Sequence, residues 1–176
     1  MSENSTLECI PAPRRKLVST WATRSFVGLL FLLCVAGGVG LLGGHTSTAV
    51  SAKHGFHLSL QYPRTARPGL DTLWELKITH AGGFSSPITV AVSGSYFDLF
   101  ETQGFYPTPS ETTRDNTFVY LTFTPPKSAG TFRVMYDAYV QPYVSPDHLL
   151  AQRATVALII KGHRLDAIDY VTWLLP

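Results

Sequence analysis

The chain has 176 residues, a formal net charge of +2 and 15% charged residues, enough for one ordinary domain plus an anchor. Lys and Arg number 14 against 12 for Asp and Glu, with no continuous basic run in the part that reads as folded, which argues against nucleic acid as a partner. Cys9 and Cys34 both precede that part, so it holds no disulfide framework, Cys-type zinc site or cysteine nucleophile.

Residues 1–24 form a polar tail punctuated by Pro11 and Pro13 and carrying Arg14, Arg15, Lys16 and Arg24. Positive residues beside an apolar segment are retained in the cytoplasm, so the N-terminus is expected inside and the remainder outside. Residues 25–44, SFVGLLFLLCVAGGVGLLGG, contain no charged side chain. They match the roughly 20 residues a helix needs to cross a bilayer core, which predicts a transmembrane signal anchor in the cell membrane. Val50, Ser51 and Ala52 place small residues where a signal peptidase reads, leaving cleavage after Ala52 open; the length of the apolar run favours retention. Gly40 and Gly44 form a G-x-x-x-G spacing, and Leu33 ahead of Cys34 is unsuited to lipidation. Residues 45–53 read as a Ser/Thr/Ala linker, and 54–176 as the folded extracytoplasmic domain.

In that domain the apolar period is two. Phe56, Leu58, Leu60 and Tyr62 alternate with polar neighbours, as do Trp74, Leu76 and Ile78, then Ile88, Val90 and Val92. The rhythm lapses over 94–116. It returns in Val119, Leu121 and Phe123, in Phe132 to Val140, and in Ala154 to Ile160. Lys161 to Arg164 reads as a hairpin turn into a last strand with Ile168, Val171 and Trp173. Short strands punctuated by Pro and Gly, with no crossover helices, predict a mainly β domain: an antiparallel sandwich of about seven to eight strands.

The run PPKSAGTFRV at 125–134, with alternation continuing through Ala138, resembles the late hairpin of immunoglobulin-like and fibronectin type III-like bacterial domains. With GGF at 82–84, FDLF at 97–100 and TWLLP at 172–176, the chain is similar to a group of small, uncharacterised bacterial single-pass membrane proteins. That resemblance implies an anchored immunoglobulin-like sandwich and no assigned activity.

Candidate chemistry is sparse. His54 and His57 point to opposite faces of a strand, and His45, His80, His148 and His163 stand apart, so neither a metal nor another cofactor is expected. No G-x-S-x-G or H-E-x-x-H occurs, and Asp98, Glu101, Glu111 and Asp115 read as solvated loop carboxylates; no catalytic residue is assigned and the chain is expected not to be an enzyme. Long loops with aromatic residues suit recognition. The expected interaction surface therefore comprises Tyr96, Phe100, Phe105, Tyr106 and Pro107 of the 94–116 segment, with Tyr139, Tyr143 and Trp173. A competing reading makes Phe97, Leu99 and Phe100 a plug at the open end of the sandwich. The function expected is a membrane-anchored accessory domain that binds another envelope or integral membrane protein; the alternative is an anchored or secreted domain for a small ligand, glycan or metal.

Overall fold

The structure, a computed structural model, describes residues 17–38, 44–101, 104–143 and 151–175. The expectations for the tail through Lys16, for Gly40, for the 144–150 loop with His148, and for Pro176 lie outside the described residues. The chain divides into two units, residues 1–43 and residues 44–176.

In the first unit, α1 runs from Leu17–Gly38, and its Thr20–Gly38 portion, with a mean hydropathy of 1.5, is long and apolar enough to cross a bilayer. Trp21, Phe26 and Phe31 are exposed on it. The helix begins earlier than the apolar composition suggested, because nothing between Pro13 and Gly28 breaks a helix and the polar turn ahead of residue 25 propagates the same backbone.

The second unit is mainly β. Strand β1 (His45–Lys53) folds back on β2 (Phe56–Ala66) through His54 and Gly55. Their φ values of 52° and 78° are the left-handed pair that a two-residue hairpin turn demands. Residues 45–53 are thus a strand rather than a linker. β2 pairs with β3 (Asp71–His80), and β3 with β9 (Thr131–Val140), with Leu60 opposite Leu76 and Leu76 opposite Val134. A second run pairs β4 (Ile88–Ser93) with β8 (Phe118–Phe123) on one side and β10 (Ala151–Ile160) on the other. β7 (Glu111–Arg114) edges β8, and β11 (His163–Leu174) returns along β10.

The two runs meet where β11 pairs with β2 in parallel, Trp173 opposite Thr65 and Leu174 opposite Ala66. Among the described residues eleven strands therefore form one mixed sheet, curled into a half-barrel. This corrects the wholly antiparallel expectation: the paired segments lie so far apart in sequence that no crossover helix is needed to make them parallel. The 94–116 segment is also not an open loop. It contains a single helical turn, α2 (Gly94–Phe97), then β5 (Phe100–Glu101) and β6 (Phe105–Tyr106), both paired to the free edge of β9, before β7.

Alternation sends Leu58, Leu60, Trp74, Leu76, Val134, Val90, Leu121 and Leu158 to one fully buried interior. Apolar burial there is worth roughly 25 cal/mol per Å², and three buried side chains, Trp74, Thr172 and Tyr96, make polar contacts across the curl. Trp74 Nε1 donates to Tyr170 Oη at 3.2 Å. Thr172 Oγ1 donates to Pro63 O at 2.6 Å and lies 3.1 Å from Tyr96 Oη; since its proton is committed to the carbonyl, Tyr96 is the donor in that second bond. These bonds bind β11 to β2 and β3 at the seam. Towards the other end of β11, β1 is held to it by Asp166, whose Oδ1 accepts from Ser51 Oγ at 2.8 Å and lies 3.5 Å from Lys53 Nζ.

Candidate functional site

The ladders decide what each strand offers outward. On the outer face of β3 and β9, Asp71 stands opposite Tyr139, Leu73 opposite Asp137, Glu75 opposite Met135 and Lys77 opposite Arg133. On the far side of β9, Glu101 stands opposite Tyr139 and Tyr106 opposite Met135. Residues opposite one another across a sheet lie about 4.5–5.5 Å apart at Cβ, so this face carries an apolar centre bordered by carboxylates.

The same face forms an open groove of about 840 Å³, lined by Leu73, Phe105, Tyr106 and Met135 with Asp71 and Asp137 at its rim. Tyr106 is 75% exposed, Leu73 40% and Met135 38%. Large apolar side chains gathered on an outer strand face mark a contact surface more often than scattered ones do. The groove floor is firmly packed. Phe105 lies on Tyr136 with ring centroids 4.6 Å apart and on Phe97 at 5.3 Å, and Tyr136 Oη donates to Glu101 O at 3.1 Å. Burial pushes the Tyr136 phenol up to about 12, with the Asp137 carboxylate adding to the rise. Arg133 Nε pairs with Glu75 Oε1 at 3.1 Å, whereas Asp71, Glu101 and Asp137 take part in no ion pair among the described residues. The groove is therefore electronegative.

The expected surface divides. Tyr96 and Phe100 are 1% and 2% exposed; they belong to the core with Leu99, which is the plug arrangement, because α2 sets Tyr96 against Tyr170 of β11 and β5 sets Phe100 against Tyr136 of β9. Phe105 and Tyr106 line the groove, exposed Pro107 follows Tyr106, and Tyr139 stands beside it between Asp71 and Glu101. Tyr143 is exposed beyond the end of β9, and Trp173 lies on β11 opposite Ala151 and Thr65, away from the groove. Leu73, Met135, Asp71 and Asp137 were missed as site residues. Their signal was an apolar residue on the polar side of an alternating strand, plain for Met135 between Arg133 and Asp137.

The carboxylates of 94–116 do not converge. Asp98 receives two bonds from Arg114, at 2.9 and 2.8 Å. Asp115 accepts from the Phe118 and Thr117 backbone N–H groups and from Tyr120 Oη, and these bonds hold its carboxyl below the usual range. Both are turn-fixing roles. Among the described residues no three of His, Cys, Asp and Glu are grouped to hold a metal ion.

No family model and no curated protein matches the chain. Among solved structures, a Pseudomonas fluorescens alkylpurine DNA glycosylase AlkC bound to DNA containing an abasic site analog is similar over 63% of this chain and 28% of its own length, with 11% identity and a TM-score of 0.29. The chain spans little more than a quarter of that protein, and so weak a likeness carries no argument about fold or activity.

Proposed function

We propose that this chain is a non-enzymatic, single-pass membrane protein, N-terminus in the cytoplasm and β domain outside, and that the domain binds another envelope or integral membrane protein through the β3–β9 groove. The observation that carries this reading is the groove itself: exposed Leu73, Tyr106 and Met135 on a firmly packed floor, bordered by Asp71 and Asp137, which no ion pair among the described residues neutralises. Charge complementarity then selects the occupant, a segment that presents Lys or Arg between apolar side chains. Basic residues ahead of an apolar helix support the orientation. The location of Ala52 within the β1–β2 ladder supports retention of the anchor, because a peptidase must pull that stretch out of the sheet to read it.

The finer fold and family assignment belongs to the same proposal. The strand runs β1-β2-β3-β9 and β11-β10-β4-β8 turn their apolar faces to a common core, and this supports an immunoglobulin-like sandwich joined at one seam, as in the single-pass proteins the sequence resembles. A second reading draws on the size of the groove, which falls within the roughly 300–1,000 Å³ of small-ligand sites; a glycan or other small ligand would then raise the melting temperature in a thermal-shift screen.

The test has two parts. In intact cells, Tyr106→Cys in a Cys9→Ser, Cys34→Ser background should be labelled by a membrane-impermeant thiol reagent, and protection until the cells are opened would reverse the orientation. In mild-detergent extracts of the native membranes, a defined membrane protein should co-purify with wild type and be lost with Met135→Lys. Identical recoveries from both would exclude the groove as the binding surface.

A further inference from the structure

The topology gathers cations that the sequence scatters. The β1–β2 turn, the segment after β3, the β8–β9 loop and the β10–β11 turn all close at one end of the domain, as the end pairs Lys53 with Phe56, Phe56 with His80, Thr79 with Thr131, Ile88 with Phe123 and Ile160 with His163 require. Direct contacts tie these turns together. His54 Nδ1 lies 2.8 Å from Leu165 O, Phe56 stacks on His80 at 4.2 Å, and His80 N donates to Gly130 O at 2.9 Å. The chain enters the domain at the opposite end, at His45, about 25–30 Å away along β1 at the usual strand rise.

Lys53, Lys127, Lys161 and Arg164 are exposed on these turns, and Lys77 and Arg133 lie one row further along the β3–β9 face. Three carboxylates accompany them: Glu75, held by Arg133; Asp166, whose side chain is 0% exposed and already faces Lys53; and exposed Glu111, opposite Thr122 beside the end of β8. Exposed His54, His57 and His163 add no negative charge. The result is a positive end on a domain whose other end is balanced, with Asp71, Asp98, Glu101 and Asp115 accompanied by Arg64, Arg67, Arg114 and Arg153. The cations stand on separate turns rather than around a cavity, so no single small anion can reach them together. A flexible chain of anions can, gaining a modest amount at each contact.

We propose that this hairpin end binds a phosphate-bearing polymer, a polyanion of the compartment into which the domain projects. The surface is distinct from the groove and does not depend on a protein partner there. Engagement of about four cations by a flexible polyanion, at about −0.7 in log–log slope for each, predicts about 50-fold weaker binding when salt rises from about 50 to 200 mM.

The full-length protein in nanodiscs of zwitterionic lipid, titrated with inorganic polyphosphate, tests this. Wild type should bind saturably at low salt with that salt dependence. Lys127→Glu with Arg164→Glu should weaken binding at least tenfold at unchanged melting temperature, and Asp71→Lys, at the other end, should leave it within about twofold. Each of these outcomes would overturn the proposal: no saturable binding at low salt, equal binding by the double variant, or tighter binding to phosphatidylglycerol vesicles than to polyphosphate at equal phosphate, which would assign the end to a bilayer. A double variant that melts early is replaced by Lys161→Gln with Arg164→Gln, read the same way.

Discussion

The outer groove and the hairpin end occupy the same domain and differ in almost every physical respect. The groove offers apolar area, with Leu73, Met135 and Tyr106 exposed over a floor locked by Phe105 and Tyr136, and a few carboxylates border it. The hairpin end offers charge with little apolar area, on turns whose own side chains are committed to holding the strands together. Contacts of the first kind tolerate salt and depend on shape; contacts of the second kind are screened within about 10 Å at 0.1 M salt and tolerate almost any shape. One sheet can present both because its ladders fix which face, and its hairpins fix which end, each side chain reaches.

Both surfaces rest on one core, so losing that core should abolish the contrast altogether. Raising the pH does so without mutation. Unfolded tyrosines ionise near 10, whereas Tyr136 ionises at about 12 in the fold and burial lifts Tyr96 and Tyr170 further. Their folded values are raised, so the stability they contribute is complete below pH ~10 and is lost as pH climbs through 12. The share of tyrosinate absorbance that belongs to Tyr96, Tyr136 and Tyr170 should therefore appear only together with the loss of the β circular-dichroism signal above pH ~10, and both surfaces should vanish at once. Full phenolate absorbance near pH 10 with the strands intact would refute the buried arrangement. A smaller loss is expected from Trp74→Ala, about 3–5 kcal/mol by denaturant titration, because Trp74 is fully buried and also carries the bond to Tyr170. It too should weaken groove and hairpin end alike.

Surface changes should separate the two. Met135→Lys should alter stability by less than about 0.5 kcal/mol and yet weaken the groove contact by about 2 kcal/mol, since a cation replaces the apolar centre; polyphosphate binding should be unaffected. If Met135→Lys weakens both, the two regions are one site.

Much of the sheet was legible because the inward residues are bulky and strictly alternating, as in Trp74-Leu76-Ile78 and Val119-Leu121-Phe123. β1 was not legible. Its inward positions are Ser47, Ala49 and Ser51, small residues that leave no hydrophobic rhythm, and its strand character comes from the β2 ladder and from Asp166. The short strands β5 and β6 escaped for a related reason: two residues have no period, and only the free edge of β9 makes them strands. Aromatic content singled out the 94–116 segment, yet composition cannot sort it into core and groove. Tyr96 is buried by the turn of α2, whereas Phe105 lies half-buried on β6 at the groove. The groove and the positive end were hidden because each is assembled across the sheet. Leu73 meets Asp137, and Lys53 joins Lys127 and Arg164, only after distant segments pair.

Photo-crosslinking in native membranes, with the reactive residue placed in turn at Tyr106 and at Lys127 of the full-length protein, would decide whether the groove is the protein-binding surface. A discrete protein adduct is expected from position 106, lost with Asp71→Lys, and no protein adduct from position 127. The same adducts from both positions, or an adduct at 106 indifferent to Asp71→Lys, would show that the groove does not select the partner.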